Sequence, residues 1–383
     1  MLRTLINSAE QRLRHIQLAR QALLHDAQPA IGNFTEPWIA QSWQRCLANG
    51  QRPQQSVSFD MVSAQALRRS DEANHVLINA ARPALKQLGH AIAETRYFAI
   101  LTNAEGVVVD VGGQIDRSDP RASVIARVGV DLSERSVGTT AISAALKELH
   151  PVWLHRGEHF FNGNGAYSCA GAPLFGPDGQ VVGMLDLTGV EVEERPELKH
   201  LVAQSPRSIE NALTLERAHK LLVRLNWPGR SLGDESDGLV CLDADGWVAG
   251  ANQAARQMIA HLMQRSGEVA PPVHASELFA MPFEMLFDAA GRESYGQPAP
   301  IDVPLWSGLR LNAISHKRGQ QNADASPQHG LAAGEHASLR EVETSLIRRA
   351  VAQAKGNVMQ AARELGISRA TVYRKLGHRK SGN

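Results

Sequence analysis

Residues 167–190 read YSCAGAPLFGPDGQVVGMLDLTGV, two β-like runs on either side of Gly176-Pro177-Asp178-Gly179. That tetrad is hairpin chemistry: Pro presets φ, Asp bonds its neighbouring backbone, and Gly accepts a positive φ. Working outward, VWLHRGEHF over 152–160 is a third β-like segment. Ahead of it, TTAISAALKELH is an alanine-rich helix with Thr139 or Thr140 as its cap. Farther back, YFAILTNAEGVVVDVGG reads strand, turn, strand, reversing at Asn103-Ala104-Glu105-Gly106. On the other side, Pro196 to about Asn226 reads as helix. Residues 97–225 therefore form an α+β unit, antiparallel strands flanked by helices.

The N-terminal flank is helical over 1–95. Leu2, Leu5, Ile6, Leu13 and Ile16 recur at helical spacing, as do the apolar residues from Val76 through Leu88 to Ile92. Between them IAQSWQRCLANG puts Ile39, Trp43 and Cys46 on one face and ends at Gly50. Trp43 is read as a packing anchor rather than a ligand. A second, smaller α+β unit begins near Asp237. DGLVCLDADGWVAGANQAARQMIAHL reads strand, Asp245-Gly246 turn, strand, then a helix entered at Asn252. Strand-like pieces continue to PLWSGLRLNAI, and residues 315–337 have the Gly-, Gln-, Asn- and Ala-rich composition of a flexible linker.

Composition narrows the function classes. The 383 residues carry 43% hydrophobic and 21% charged side chains, ordinary for a globular chain, and the net charge of +1 leaves local charge to decide on nucleic acid. Cys46, Cys169 and Cys241 lie far apart with no CxxC pair, which argues against a disulfide scaffold and a clustered zinc site. No stretch has the apolar length of a membrane span, and the charged N-terminus lacks the core of a secretion signal. These features predict a cytoplasmic protein; the chain as a whole, with its tail, is read as nucleoid-associated, with no cofactor, no metal and no catalytic residue.

The tail reads most sharply. LREVETSLIRRAVAQAK is an amphipathic helix with Leu339, Val342, Leu346, Ile347, Ala350 and Val351 on one face, stopped at Gly356. Asn357 caps VMQAAREL, Gly366 makes the turn, and Ser368 caps RATVYRKL. Two short helices joined through a Gly-containing turn are the sequence form of a helix-turn-helix. Ala361, Ala362, Leu365, Ile367, Val372 and Leu376 supply its small core. The opposite face carries Arg369, Thr371, Tyr373, Arg374 and Lys375. A recognition helix reads bases with its N-terminal residues. Arg369 is thus the candidate for a bidentate guanine contact, with Ser368 beside it and Thr371, Arg374 and Lys375 on phosphates. The plainer reading is a basic face that is only solvated. The coincidence of cap, turn, core and basic face favours DNA.

GNVMQAARELGISRATVYRKL closely resembles the C-terminal domain of the Fis family, as found on bacterial enhancer-binding regulators. That resemblance implies that the preceding helix dimerises through Leu339, Val342, Leu346, Ile347 and Ala350. It also implies a homodimer on a pseudo-palindromic site. Upstream, IAQSWQRC, LTNAEGVVV, RSVGTTAISAAL, PVWLHRGEHF and CAGAPLFGPDGQVVGMLDLTG together resemble the acetoin-catabolism regulator (AcoR) family and its GAF sensor. The 237–312 unit is similar to a PAS domain.

The implied plan is an α+β multidomain chain. It has a helical region at 1–75, a GAF-like sensor at 76–226, a PAS-like domain at 232–314, the linker, and the Fis-type domain at 338–383. A GAF sensor holds small effectors, and Trp153, His159, Phe160, Tyr167 and Cys169 are the candidate pocket residues. Each also reads as core or hairpin. His159 reads as a hydrogen-bonded structural histidine, and Asp186 as a carboxylate tying down backbone.

Relatives of this kind carry a central ATPase that acts on sigma-54 polymerase. This chain has no G-x-x-x-x-G-K-[ST] loop: the nearest stretch, GVDLSERSVGTT, lacks the lysine. The reading is a ligand-responsive, sequence-specific regulator of bacterial catabolic or stress genes without ATPase activity. RNA polymerase or a sigma-54 activator is a further possible partner. A Fis-like architectural DNA binder is the alternative. A GAF-type methionine sulfoxide reductase is a weaker one, since a thiol relay needs a resolving cysteine nearby and only Cys169 lies in the sensor.

Overall fold

The computed structural model describes residues 2–24, 35–263, 271–291, 293–294, 297–318, 358–364 and 369. The chain divides into two units, Met1–Gln321 and Asn322–Asn383.

The first unit is built on two five-stranded antiparallel sheets. Helices α1 (Leu2–Leu24), α2 (Pro37–Ala48) and α3 (Ala64–Ala91) precede the first sheet. Ser63 caps α3 by accepting from the Ala66 N–H, and the helix runs unbroken past residues 75 and 76. Strands β1 (Tyr97–Asn103) and β2 (Val108–Gly112) form the expected hairpin. Short helices α4 (Pro120–Ile125) and α5 (Glu134–Val137) lead to α6 (Ala141–Glu148). Thr140 caps α6 in a reciprocal box with Ser143, while Thr139 bonds Ser42 instead.

Strands β3 (Val152–His155), β4 (Tyr167–Phe175) and β5 (Val181–Val190) complete the order β2-β1-β5-β4-β3. The 167–190 hairpin pairs Cys169 with Thr188 and Gly171 with Asp186. Gly179 takes φ +84° at its turn. Successive β5 residues point to opposite faces. Leu185 and Leu187 meet α3, α7 (Leu198–Gln204) and α8 (Pro206–Glu216), while Met184 and Val190 join the layer of α4 and α6. Both faces are covered, so the strand sequence shows little polar alternation.

Two secondary-structure expectations fail here. VWLHRGEHF is strand only to His155, because the Glu158 carboxylate accepts the His155 N–H at 2.7 Å and closes a tight turn. Pro196–Asn226 is not helical throughout: α8 ends at Glu216, and Leu221–Asn226 is strand β6. LLVRLN is buried on both faces of a sheet, so it lacks the period-2 signal that separates strand from helix.

β6 is the middle strand of the second sheet, whose order is β11-β12-β6-β7-β8. Its partners are β7 (Gly238–Leu242) and β12 (Arg310–Lys317), flanked by β8 (Val248–Ala251) and β11 (Ile301–Pro304). A two-residue pair, β9 (Glu293–Ser294) and β10 (Gln297–Pro298), precedes β11. β12 reaches Lys317, three residues into the expected linker. One face packs on α9 (Gln253–Met258), α10 (Ala275–Leu278) and α11 (Glu284–Ala289) through Ile259, Leu278 and Leu286. Asn252 caps α9 as the sequence indicates. On the other face Leu222, Leu239 and Cys241 meet Leu215 of α8. Helix α8 thus lies between the two sheets.

In the second unit the described residues are α12 (Val358–Glu364) and Arg369. Ala362 is buried, Met359 is exposed, and Arg369 is helical and exposed. Ser368, Thr371, Tyr373, Arg374 and Lys375 lie outside the described residues, as do Leu339, Val342, Leu346, Ile347 and Ala350.

Candidate functional site

A cavity of about 30 Å³ lies between the first sheet and α6. Its apolar wall is Phe59, Ile100, Ile125, Leu132 and Ile142, and its polar wall is His159, Asn164, Tyr167, Cys169 and Thr188. Three of the five residues expected in a pocket, His159, Tyr167 and Cys169, meet here. Trp153 does not: on β3 it alternates to the other face and packs with the α3, α7 and α8 layer. Phe160 turns away toward Trp43 and Ile39 of α2.

The hydrogen bonding around the cavity is incomplete. His159 Nδ1 faces the Arg156 carbonyl at 2.8 Å, so that nitrogen carries the proton and Nε2 is left an acceptor. Nε2 is buried and has no partner among the described residues. Asn164 donates through Nδ2 to the Val137 carbonyl at 3.0 Å, leaving Oδ1 similarly unpartnered. The Cys169 Sγ lies 3.4 Å from Thr188 Oγ1, and the Thr188 hydroxyl donates to Asp186 Oδ2. Asp186 was expected to hold backbone. Its side-chain partner is Thr188, and Oδ1 has none among the described residues. Buried polar atoms of this kind call for a water or a ligand.

Below about pH 7 the site is electrically neutral. Burial lowers the His159 imidazole to about 4 and raises the Asp186 carboxyl to about 7. Burial also raises the Cys169 thiol and Tyr167 phenol well above their ordinary values. Cys169 is therefore a thiol, not a nucleophilic thiolate. The three cysteines are free, and they sit in three separate clusters.

The loop bearing His159 and Asn164 is held by the N-terminal helices, which sequence reasoning did not foresee. Arg20 of α1 donates to the carbonyls of Gly157, His159 and Phe160 at 2.9, 2.8 and 3.1 Å. Arg12 pairs with Glu158 at 2.7 Å, and Trp43 Nε1 donates to the Glu158 carbonyl at 2.9 Å. His155 is bonded to Ser168 at 2.6 Å, and burial lowers its imidazole to about 4. These long-range contacts leave no spacing signal in the sequence. No helix among the described residues is long and apolar enough to cross a membrane, and no metal-ligating cluster occurs among them.

The class of protein is defined at both ends of the chain. Residues 338–377 match the family described as bacterial regulatory protein, Fis family, and residues 8–211 match that described as MimR, N-terminal domain. A bacterial regulator with a Fis-type helix-turn-helix is the class these matches set. The chain belongs to the MimR N-terminal-domain family, the matched residues being more than half of its length.

It is 29% identical over 299 residues to the acetoin catabolism regulatory protein of Cupriavidus necator, covering 74% of this chain and 44% of that protein. With the acetoin dehydrogenase operon transcriptional activator AcoR of Bacillus subtilis it shares 26% identity over 48% of this chain and 30% of the activator. The acetoin-regulator resemblance read from the motifs is thus shown, and the chain spans less than half the length of these relatives. Among solved structures, the E. coli DhaR(N)–DhaL complex superposes with TM-score 0.45 and 14% identity, covering 73% of this chain and 99% of that one.

Proposed function

We propose that this protein is a ligand-responsive, sequence-specific DNA-binding regulator of bacterial transcription. Its first sheet holds a small uncharged effector, and its tail holds DNA. One observation carries the reading: a Fis-type segment shares a chain with a neutral cavity that has unpartnered buried acceptors on His159 and Asn164. A hydroxyl-bearing molecule of a few heavy atoms supplies a donor to one of these acceptors. The cavity as it stands has room for one or two waters, so the effector enters by local expansion. Acetoin, for which the two relatives are named, is uncharged and carries one hydroxyl, which makes it the first probe.

The regulator works as a homodimer on a pseudo-palindromic site, without ATP hydrolysis. It acts with RNA polymerase or beside a sigma-54 activator. Mapping of its DNA sites in cells, with and without residues 338–383, tests this directly. Specific sites that vanish with the deletion are expected, and their absence from the intact protein would falsify the regulator reading.

Arg369→Ala is expected to weaken binding by roughly 1–3 kcal/mol and relax specificity at one base position, read by mobility shift on an operator series. Lys375→Ala is expected to weaken binding on all sequences and flatten the salt dependence. DNA affinity that no small molecule shifts would favour the architectural alternative. Turnover of free methionine sulfoxide, lost in Cys169→Ser, would favour the reductase.

A further inference from the structure

A second cavity lies where the two sheets meet. It measures about 510 Å³ and opens between α8, the end of β6 and α9, sharing no lining residue with the cavity under α6. The six residues that give it chemistry are Arg207, Glu210, Trp227, Arg230, Gln253 and Gln257. Arg207 and Glu210 are three residues apart on α8 and share a face. Gln253 and Gln257 are four apart on α9 and do the same. Trp227 and Arg230 come from the segment after β6.

We propose that this cleft binds a small organic anion, an acidic group joined to a flat apolar body. Arg207 and Arg230 take the acidic group and Trp227 packs on the body.

Three observations carry the chemistry. Both guanidiniums are exposed, and neither has a carboxylate within ion-pair distance among the described residues. Six other arginines of this unit are tied by side-chain bonds: Arg12, Arg20, Arg45, Arg121, Arg224 and Arg256. The nearest acidic group in the lining does not oppose an anion. Glu210 is buried with its Oε1 accepting the Phe175 N–H at 3.0 Å, and burial raises its carboxyl to about 8. Near pH 7 it is a neutral acid, able to donate an O–H to the ligand's oxygen. The volume falls in the usual range for small-molecule sites, roughly 300–1,000 Å³. Planar acidic groups also suit the forked donors of arginine.

The position gives the site a consequence. Arg207 and Glu210 stand on the helix packed against the first sheet, and Gln253 and Gln257 on a helix of the second. A ligand held by both sides braces the same junction as the Arg256–Pro177 and Asn252–Asn211 hydrogen bonds.

The test is calorimetric titration of the full chain with benzoate and phenyl phosphate at low ionic strength, with benzamide and phenol as uncharged counterparts. Saturable one-to-one binding of at least one anion, absent for both uncharged molecules, is expected. Arg207→Ala and Arg230→Ala should each weaken it at least tenfold. Both side chains are exposed and without ion pairs among the described residues, and circular dichroism of the variants checks that the fold persists. The proposal is overturned if neither anion binds, if the uncharged molecules bind equally well, or if both variants bind like wild type. A Thr188→Val variant separates the two cavities. Unchanged anion binding in it supports the cleft, and loss of binding in it places the anion under α6 and overturns the assignment.

Discussion

Asp186 is an acid that the fold holds against its own ionisation. Its folded-state value of about 7 lies above the ordinary 3.8. Between those two values the unfolded chain has released a proton that the folded chain keeps, so stability falls as pH rises through this window. Below about pH 4 the penalty is absent, and above about pH 7 it is complete, up to about 4 kcal/mol. Asp186→Asn removes the charge. Urea unfolding is therefore expected to show the variant gaining on wild type from pH 5 to pH 8, and an equal gap at both pH values would refute the buried-acid account. Asp186 was legible as an oddity in an apolar strand. Its partner Thr188, two residues on and so on the same face, was legible by the same period. The unpartnered nitrogen of His159 was not, because it depends on which carbonyl the other nitrogen finds.

At the scale of elements, local chemistry was readable and long-range closure was not. The turn at Gly176–Gly179, the Thr140 cap and the Asn252 cap all act within four residues and stand where the sequence puts them. The loop after β3 is fixed by helices more than a hundred residues upstream, and no window of sequence contains that information. Arg20→Ala removes donors to three carbonyls of the loop. About 3 kcal/mol of lost stability is expected, with faster amide exchange over 157–164, measured by hydrogen exchange mass spectrometry. Gly138, just before α6, has φ +69°, and a Cβ there would lie 2.8 Å from the Phe161 ring. Gly138→Ala is expected to cost about 2–3 kcal/mol in chemical denaturation, whereas a loss under 0.5 kcal/mol would show that the loop yields freely.

For the whole first unit, the decisive surprise is β6. A boundary at 226 and a second domain starting at 232 go with the helical reading of 196–226 and the sensor resemblance, yet β6 sits at the centre of the second sheet. Such pairing joins residues 221–226 to 312–317, a separation that periodicity does not register. Residues 232–318 alone are therefore expected to lack stable sheet structure by circular dichroism and amide NMR, and a well-dispersed spectrum from that fragment would contradict the topology. Helix α8 explains why the division is hard to place, since its Ile209 and Leu213 serve one core and its Leu215 the other.

That central strand also constrains heredity. A genetic crossover between the codons for residues 226 and 238 would give one product the strand and the other its four neighbours, left as two separate hairpins, β7–β8 and β11–β12. Recombination can exchange whole pieces of a regulator only where no sheet is split. The second sheet is therefore expected to pass between lineages in one piece, Leu221–Lys317, and exchanges that separate the two sheets are expected ahead of β6, in the segment between α8 and Leu221.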